Sequence, residues 1–340
     1  MKAMKKFTLT VFCILAGCIF FLSGIWIYFQ KSLDRVELGE GEHAESYQRH
    51  YLMISNDKDT GMWQSVYESA SKEAEEKDAY VELLSPEQMN GYSQADCLKI
   101  GIASQVDGII LEADGSKEEQ HLINEALKEK IPVVTVMTDD TATGRISFVG
   151  LNSYQTGSAY TEQISGMLKA QGTTSVMFLS TSSSKTQETN LVYSQVKKEL
   201  EAQKKTGQSV DLTEYCVDSS ADFDTEEFVR DMFVNDENLP DVLVCMDEVV
   251  TECVYQALID YNQVGNVKVI GFYYSDVILD AIDKEIISSA IALDMDEIGR
   301  YSVNALDEYL SLGHSNNYYS VNQHVITKEN TKDYRTEDEK

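Results

Sequence analysis

The sequence predicts an α/β fold of two doubly wound parallel-sheet lobes joined by a hinge, preceded by an N-terminal membrane helix. Three observations predict it. From about residue 50 onward, short continuously apolar runs alternate with amphipathic stretches, and buried strands separated by such helices mean parallel sheets covered on both faces. The strands are too many for one sheet of ordinary size. A chain of 340 residues also exceeds one small core and suits two lobes of ~100–150 residues each.

At the N-terminus, Lys2, Lys5 and Lys6 precede the uncharged stretch Phe7–Phe29, and Lys31 and Arg35 follow it. As a helix that stretch spans roughly 34 Å, enough to cross a bilayer core of ~30 Å. Trp26 and Tyr28 stand at its outer end as interfacial aromatics do, and the lysines keep the N-terminus in the cytoplasm. A second reading competes. Leu15-Ala16-Gly17-Cys18 has the pattern of a lipobox, which would make Cys18 a lipidation site, although the apolar run continues through Ile19-Phe20-Phe21-Leu22. Either way residues 1–30 anchor the chain or direct its export, and the remainder stands outside the cytoplasmic membrane. Residues 31–48 are polar, lack apolar periodicity and read as a linker.

His50–Ser55 is then a strand, and Gly61–Lys77 a helix with Trp63, Val66, Tyr67 and Ala70 on one face. Ala79–Leu84 reads as a strand, Tyr92–Ser104 as a helix and Gly108–Leu111 as a buried strand. Ser116 and Glu119 form a capping-box pattern that opens a helix to Lys130. Pro132–Met137 and Ile146–Leu151 are strands. The scheme then repeats: helix Ser153–Ala170, strand Ser175–Ser180, helix Thr186–Gln203, strand Leu212–Val217 and a helix from Asp224. Strand Asp241–Met246, helix Val249–Tyr261, strand Val267–Phe272, helix Asp276–Lys284 and strand Ile287–Leu293 follow. Asp296–Leu312 is the last helix, and Tyr318–Ile326 alternates as an edge strand.

The formal net charge is −29, a surface that repels nucleic acid and anionic headgroups and favours a neutral or cationic ligand. Six cysteines occur without CxxC or zinc spacing; Cys97, Cys216, Cys245 and Cys253 lie among apolar residues and read as free thiols. The five histidines have no metal-ligand spacing, and no HExxH, GxSxG, GxGxxG or Walker loop is present. The reading is of a binding protein, with no enzyme activity, cofactor or metal implied.

Several segments carry a resemblance: YLMISNDKDTGMWQSVYESASKEAEE, VDGIILEADGSKEEQHLINEALKEKIPVVTVMTDD, SFVGLNSYQTG, CMDEVVTECVYQAL, VKVIGF and IALDMDEIG. Over about residues 49–328 the chain resembles the type 1 periplasmic sugar-binding proteins, the group of the ribose- and galactose-binding proteins. The resemblance implies discontinuous lobes: 49–151 with 294–317, and 152–293 with 318–330, leaving 331–340 as a tail. Three crossings near 152, 293 and 318 would form the hinge. LacI-type repressors share the superfamily but carry a DNA-binding motif where this chain has its membrane segment.

By the same resemblance, Trp63 stands where a stacking aromatic contacts the sugar, though its helical stripe also suits a core residue. Asp139 and Asp140 follow PVVTVM near the hydroxyl-binding aspartate, whose strict place is Met137. Asn190 stands where the family often has arginine. Met246 and Asp247 stand in place of Asn-Asp, Tyr273 in place of aspartate, and Leu293, beside Asp294, in place of Gln or Asn. These departures make the implied pocket less polar than a simple sugar site. The implied function is capture of a small solute, a carbohydrate or similar, in the interlobe cleft for delivery to an ABC permease. The alternative is sensing, with the bound state read by a membrane histidine kinase or chemoreceptor.

Overall fold

A computed structural model describes residues 47–55, 61–86, 92–181, 186–217, 224–235 and 239–335. The expected membrane helix, Cys18 and nearly all of the linker lie outside the described residues. Among those described, no helix is long and apolar enough to cross a membrane.

The first lobe is built on β1 (Arg49–Ile54), β2 (Ala79–Leu84), β3 (Gly108–Leu111), β4 (Val133–Val136), β5 (Ser147–Leu151) and β11 (Tyr318–Val321). They form one parallel sheet in the order β11-β5-β4-β3-β1-β2. The second lobe uses β6 (Gly172–Thr181), β7 (Gln208–Val217), β8 (Val242–Cys245), β9 (Lys268–Phe272), β10 (Ser289–Leu293) and β12 (Gln323–Ile326). Its order is β12-β10-β9-β8-β6-β7, parallel except that β12 runs antiparallel to β10. Each sheet therefore has its first strand inside and its second at the edge, and such sheets bind ligands outside the strands' carboxyl ends.

Strand side chains alternate between two helix layers, as a period of two requires. Tyr51 and Met53 point to the layer of α1 (Gly61–Glu75) and α9 (Met295–Leu312). Leu52 and Ile54 point to α2 (Gln94–Ala103) and α3 (Lys117–Lys128). In the second lobe, Val242 and Val244 face α4 (Ser153–Met167) and α5 (Gln187–Ala202). Leu243 and Cys245 face α6 (Asp224–Asn235), α7 (Glu248–Asp260) and α8 (Asp276–Asp283). Helices α1 and α9 come closest at Gly299, where an added Cβ would stand 2.7 Å from the Ala70 amide nitrogen and overlap the Val66 carbonyl.

Caps explain the helix starts. Helix α2 begins at Gln94, two residues later than expected, because Ser93 caps it: its hydroxyl accepts from the Asp96 amide, and the Asp96 carboxylate accepts from the Ser93 amide. At α3 only half of the expected capping box forms. The Ser116 hydroxyl accepts from the Glu119 amide at 3.1 Å. The Glu119 carboxylate, however, turns to the amides of Asp114 and Gly115, and Ser116's own amide donates to Asp114 at 2.6 Å. Cys97, Cys216, Cys245 and Cys253 are free thiols, the first and third buried.

The chain crosses between lobes three times. The first crossing is at Asn152, which caps α4; the second is at Asp294, which caps α9. The third departs from expectation. Tyr318–Val321, assigned above to the second lobe, pairs with β5 in the first sheet, and only β12 joins the second. The single alternating run Tyr318–Ile326 is thus two strands broken at Asn322. Glu297 holds the break: its carboxylate accepts from the Asn322 amide at 2.7 Å and from its side chain at 2.9 Å, while the Asp294 amide donates to the Asn322 carbonyl.

Candidate functional site

The carboxyl ends of both parallel sheets meet at the seam between the lobes. Two central strands end there in matching fashion. Met137, after β4, has φ 62°, and Tyr273, after β9, has φ 71°. Their amides still donate to the neighbouring strands, to Val149 and Ile291, at 2.9 and 3.0 Å. The backbone thus leaves each strand abruptly through left-handed geometry that non-glycine residues seldom adopt, and such strain gathers at ligand clamps.

Tyr273 belongs to the second lobe, yet its side chain packs in the first lobe's core cluster with Trp63, Leu293 and Met295. It is 3% exposed. Its hydroxyl lies 3.3 Å from Ser65 Oγ on α1, and its ring edge is in van der Waals reach of Gly61. Burial pushes its pKa up, which keeps the phenol neutral. Tyr274 packs beside it at a ring separation of 4.6 Å. Trp63 is 2% exposed and sits in the same cluster.

On the loop after β4, Asp139 is engaged by Arg145, which donates to both carboxylate oxygens at 2.5 and 2.6 Å. Thr135 adds a third donor at 3.0 Å. Arg145 also donates to the carbonyl and side chain of Asn317, so this bidentate pair ties the loop to the chain just before β11. Asp140 is buried; one oxygen accepts from the Ala142 amide, and Oδ2 has no donor.

Opposite this loop stands Glu188, in the first turn of α5, which the sequence reading did not single out. It is 9% exposed. Its carboxyl lies close to Asp139 of the facing loop, across the seam, and to Thr186 at the head of its own helix. Oε2 is buried without a donor. Burial first, and then the charge of Asp139, push its pKa up. Asn190, expected to face the ligand, is exposed. The inward stripe of α5 is Glu188, Val192, Val196 and Leu200, spaced by four, and Asn190 is out of phase with it. That spacing was the available signal for Glu188, masked by its being a charged residue on an otherwise apolar face.

The remaining candidates hold the framework of the site. Asp247 caps α7, accepting from the Val250 amide at 2.8 Å, and its other oxygen accepts from the Thr181 amide and hydroxyl at 3.0 and 3.1 Å. Met246 is buried beside Tyr160 and Phe178. Asp294 caps α9, accepting from the Glu297 amide at 3.0 Å, and lies 3.7 Å from His324 Nε2 at the hinge. The fold therefore brings Trp63, Tyr273 and Leu293 together at the seam and sets Asp139 against Glu188. Among the described residues no group of three His, Cys, Asp or Glu is arranged to hold a metal ion.

The periplasmic binding protein domain matches residues 51–315. No curated protein matches the chain. Among solved structures, a Burkholderia graminis ABC-transporter solute-binding protein in complex with D-arabinose is similar at TM-score 0.74 and 18% identity, covering 86% of this chain and 99% of that one. GanP, a glucose-galactose binding protein from Geobacillus stearothermophilus, is similar at TM-score 0.69 and 21% identity, over 83% and 98% of the two chains. The XylFII–LytSN complex contains a chain similar at TM-score 0.69 and 21% identity, again over 83% and 98%. At these identities the structures speak for the shared fold.

Proposed function

The chain belongs to the periplasmic binding protein domain family, and on that premise we propose that it captures a small carbohydrate-like solute between its lobes. It would act outside the cytoplasmic membrane, anchored through Phe7–Phe29 or lipidated Cys18, and deliver the solute to an ABC permease. The observation that carries this reading is the seam itself. Two sheets present their carboxyl ends to each other, with left-handed turns at Met137 and Tyr273 and three crossings of the chain between the lobes. Clefts between lobes are favoured ligand sites because a hinge there can bury a ligand almost completely. The reading is also supported by the names of similar structures, which include a glucose-galactose binding protein and a protein holding D-arabinose. The roles expected for Trp63, Tyr273, Asp139 and Asp140 belong to this proposal: Trp63 and Tyr273 as the apolar wall, the Asp139–Arg145 pair and Asp140 as its polar rim.

One observation favours a second reading. A similar chain is found in the XylFII–LytSN complex, so a closed state read by a partner protein, as in sensing, remains a distinct outcome for this fold. The test is a thermal-unfolding screen of the full chain in detergent micelles, with pentoses, hexoses, polyols and nucleosides. A ligand at 100 times its Kd stabilises by about 2.7 kcal/mol, which raises the melting temperature by a few degrees. A sugar hit supports capture; a screen without any stabilising solute removes the proposal.

A further inference from the structure

Taking the solute-binding reading as its premise, we infer that Glu188 is a ligand-contacting carboxyl that selects solutes carrying an amino group, such as amino sugars, over neutral or acidic ones. The starting point is an acceptor with nothing to accept. Glu188 is more than nine-tenths buried, and its Oε2 meets no hydrogen-bond donor. Buried carboxylate oxygens in folded proteins are nearly always satisfied, and an exception calls for an occupant.

The position shows where that occupant comes from. The carboxyl's neighbours are Thr186 at the head of its own helix and Asp139 of the opposite lobe. The group therefore spans the seam at the carboxyl ends of the sheets, where a solute enters when the lobes part and is enclosed when they close.

The charge around it selects the chemistry. Arg145, on the facing loop, is already bound by both oxygens of Asp139. Asp140 adds a buried carboxyl on the same loop, and Glu248 lies near Tyr273. With a net charge of −29 on the whole chain, an ammonium group is drawn in and a carboxylate repelled. An ammonium donor to Glu188 makes a charge-assisted bond that a hydroxyl cannot match. A charged residue on the inward face of α5, in phase with Val192, Val196 and Leu200, is otherwise a costly choice that valine or leucine would avoid.

The experiment is calorimetric titration of the full chain in detergent micelles with three matched series: glucosamine, glucose and glucuronate, with the galacto and manno equivalents. Wild type is expected to bind an amino sugar at least tenfold more tightly than its neutral partner and to show no binding of the uronate. Glu188→Gln is expected to abolish that preference, by weakening the amino sugar at least tenfold more than its neutral partner. Glu188→Asp, which keeps the charge, should retain the preference at reduced affinity, and Asn190→Asp, on the exposed face, should change nothing. Circular dichroism and melting temperature show that each variant is folded. If neutral sugars bind and the preference is missing, or survives Glu188→Gln, the inference is overturned and the solute-binding reading stands. If no sugar of any charge binds, the solute-binding reading falls and the inference with it.

Discussion

Glu119 is a carboxyl with 1% exposure whose two amide donors, Asp114 and Gly115, do not outweigh the loss of solvent. Burial, with added repulsion from Asp114 and Asp140, pushes its pKa up to about 8. In the unfolded chain it titrates near 4.5, so between those values the folded state holds a proton that the unfolded state has released. Stability from this group therefore falls as pH rises from about 4.5 to about 8 and is level above that. Glu119→Gln keeps the acceptor and discards the titration. The variant's melting temperature is expected to gain on the parent's as pH rises from 5 to 8, by the equivalent of about 1–3 kcal/mol at pH 8. A difference that is constant across that range would refute the assignment. Asp139 illustrates a residue legible by position only. A pair of acids after a strand could be placed near the site from the sequence, but its partner Arg145 and the tie to Asn317, 172 residues further along from Arg145, depend on β11 lying beside β5.

Among the elements, α1 and α9 show what a single small residue permits. Gly299 lets the two helices approach until the α9 backbone touches the α1 backbone at Val66 and Ala70. Since the obstructing atoms are main chain, they cannot swing away. Gly299→Ala is expected to destabilise the first lobe by about 1–3 kcal/mol through overpacking, despite alanine's better helix propensity; chemical denaturation checks it, and a neutral or stabilising result would show that the helices can part. The strand and helix order of both lobes was legible because each apolar run is uninterrupted and each helix carries its stripe. Element ends were less so. The strand at Pro132–Met137 stops at Val136 because Met137 turns left-handed, a choice no side-chain pattern announces.

For the whole molecule, the seam is spanned by a tyrosine that leaves its own lobe. Tyr273 fills space in the first lobe's core and reaches Ser65. Tyr273→Ala removes this plug. It is expected to raise the radius of gyration in small-angle scattering while leaving the helix content by circular dichroism unchanged, because neither sheet depends on the ring. An unchanged radius would mean that the hinge contacts alone hold the lobes together. Tyr273→Phe, which loses only the Ser65 contact, should cost about 0.5–1.5 kcal/mol and leave the radius as it is. Glu297→Ala frees Asn322 from its two donors' common acceptor. It is expected to loosen the third crossing, read as faster amide exchange at Asn322 and Gln323 than in the parent.

By itself the sequence determined the α/β class, the two-lobe repeat and most strands and helices, because buried parallel strands must be apolar throughout and their covering helices amphipathic. It also pointed to the seam as the place for a ligand. Only the tertiary structure decided that Tyr318–Ile326 divides between two sheets, that Asp247 ties α7 to Thr181, that Tyr273 crosses to the other lobe, and that Glu188 rather than Asn190 faces inward. Each of these depends on contacts between residues far apart in the chain. A local pattern records how a segment partitions between core and water, but not which distant donor meets a given carboxylate or which of two sheets offers a strand its edge.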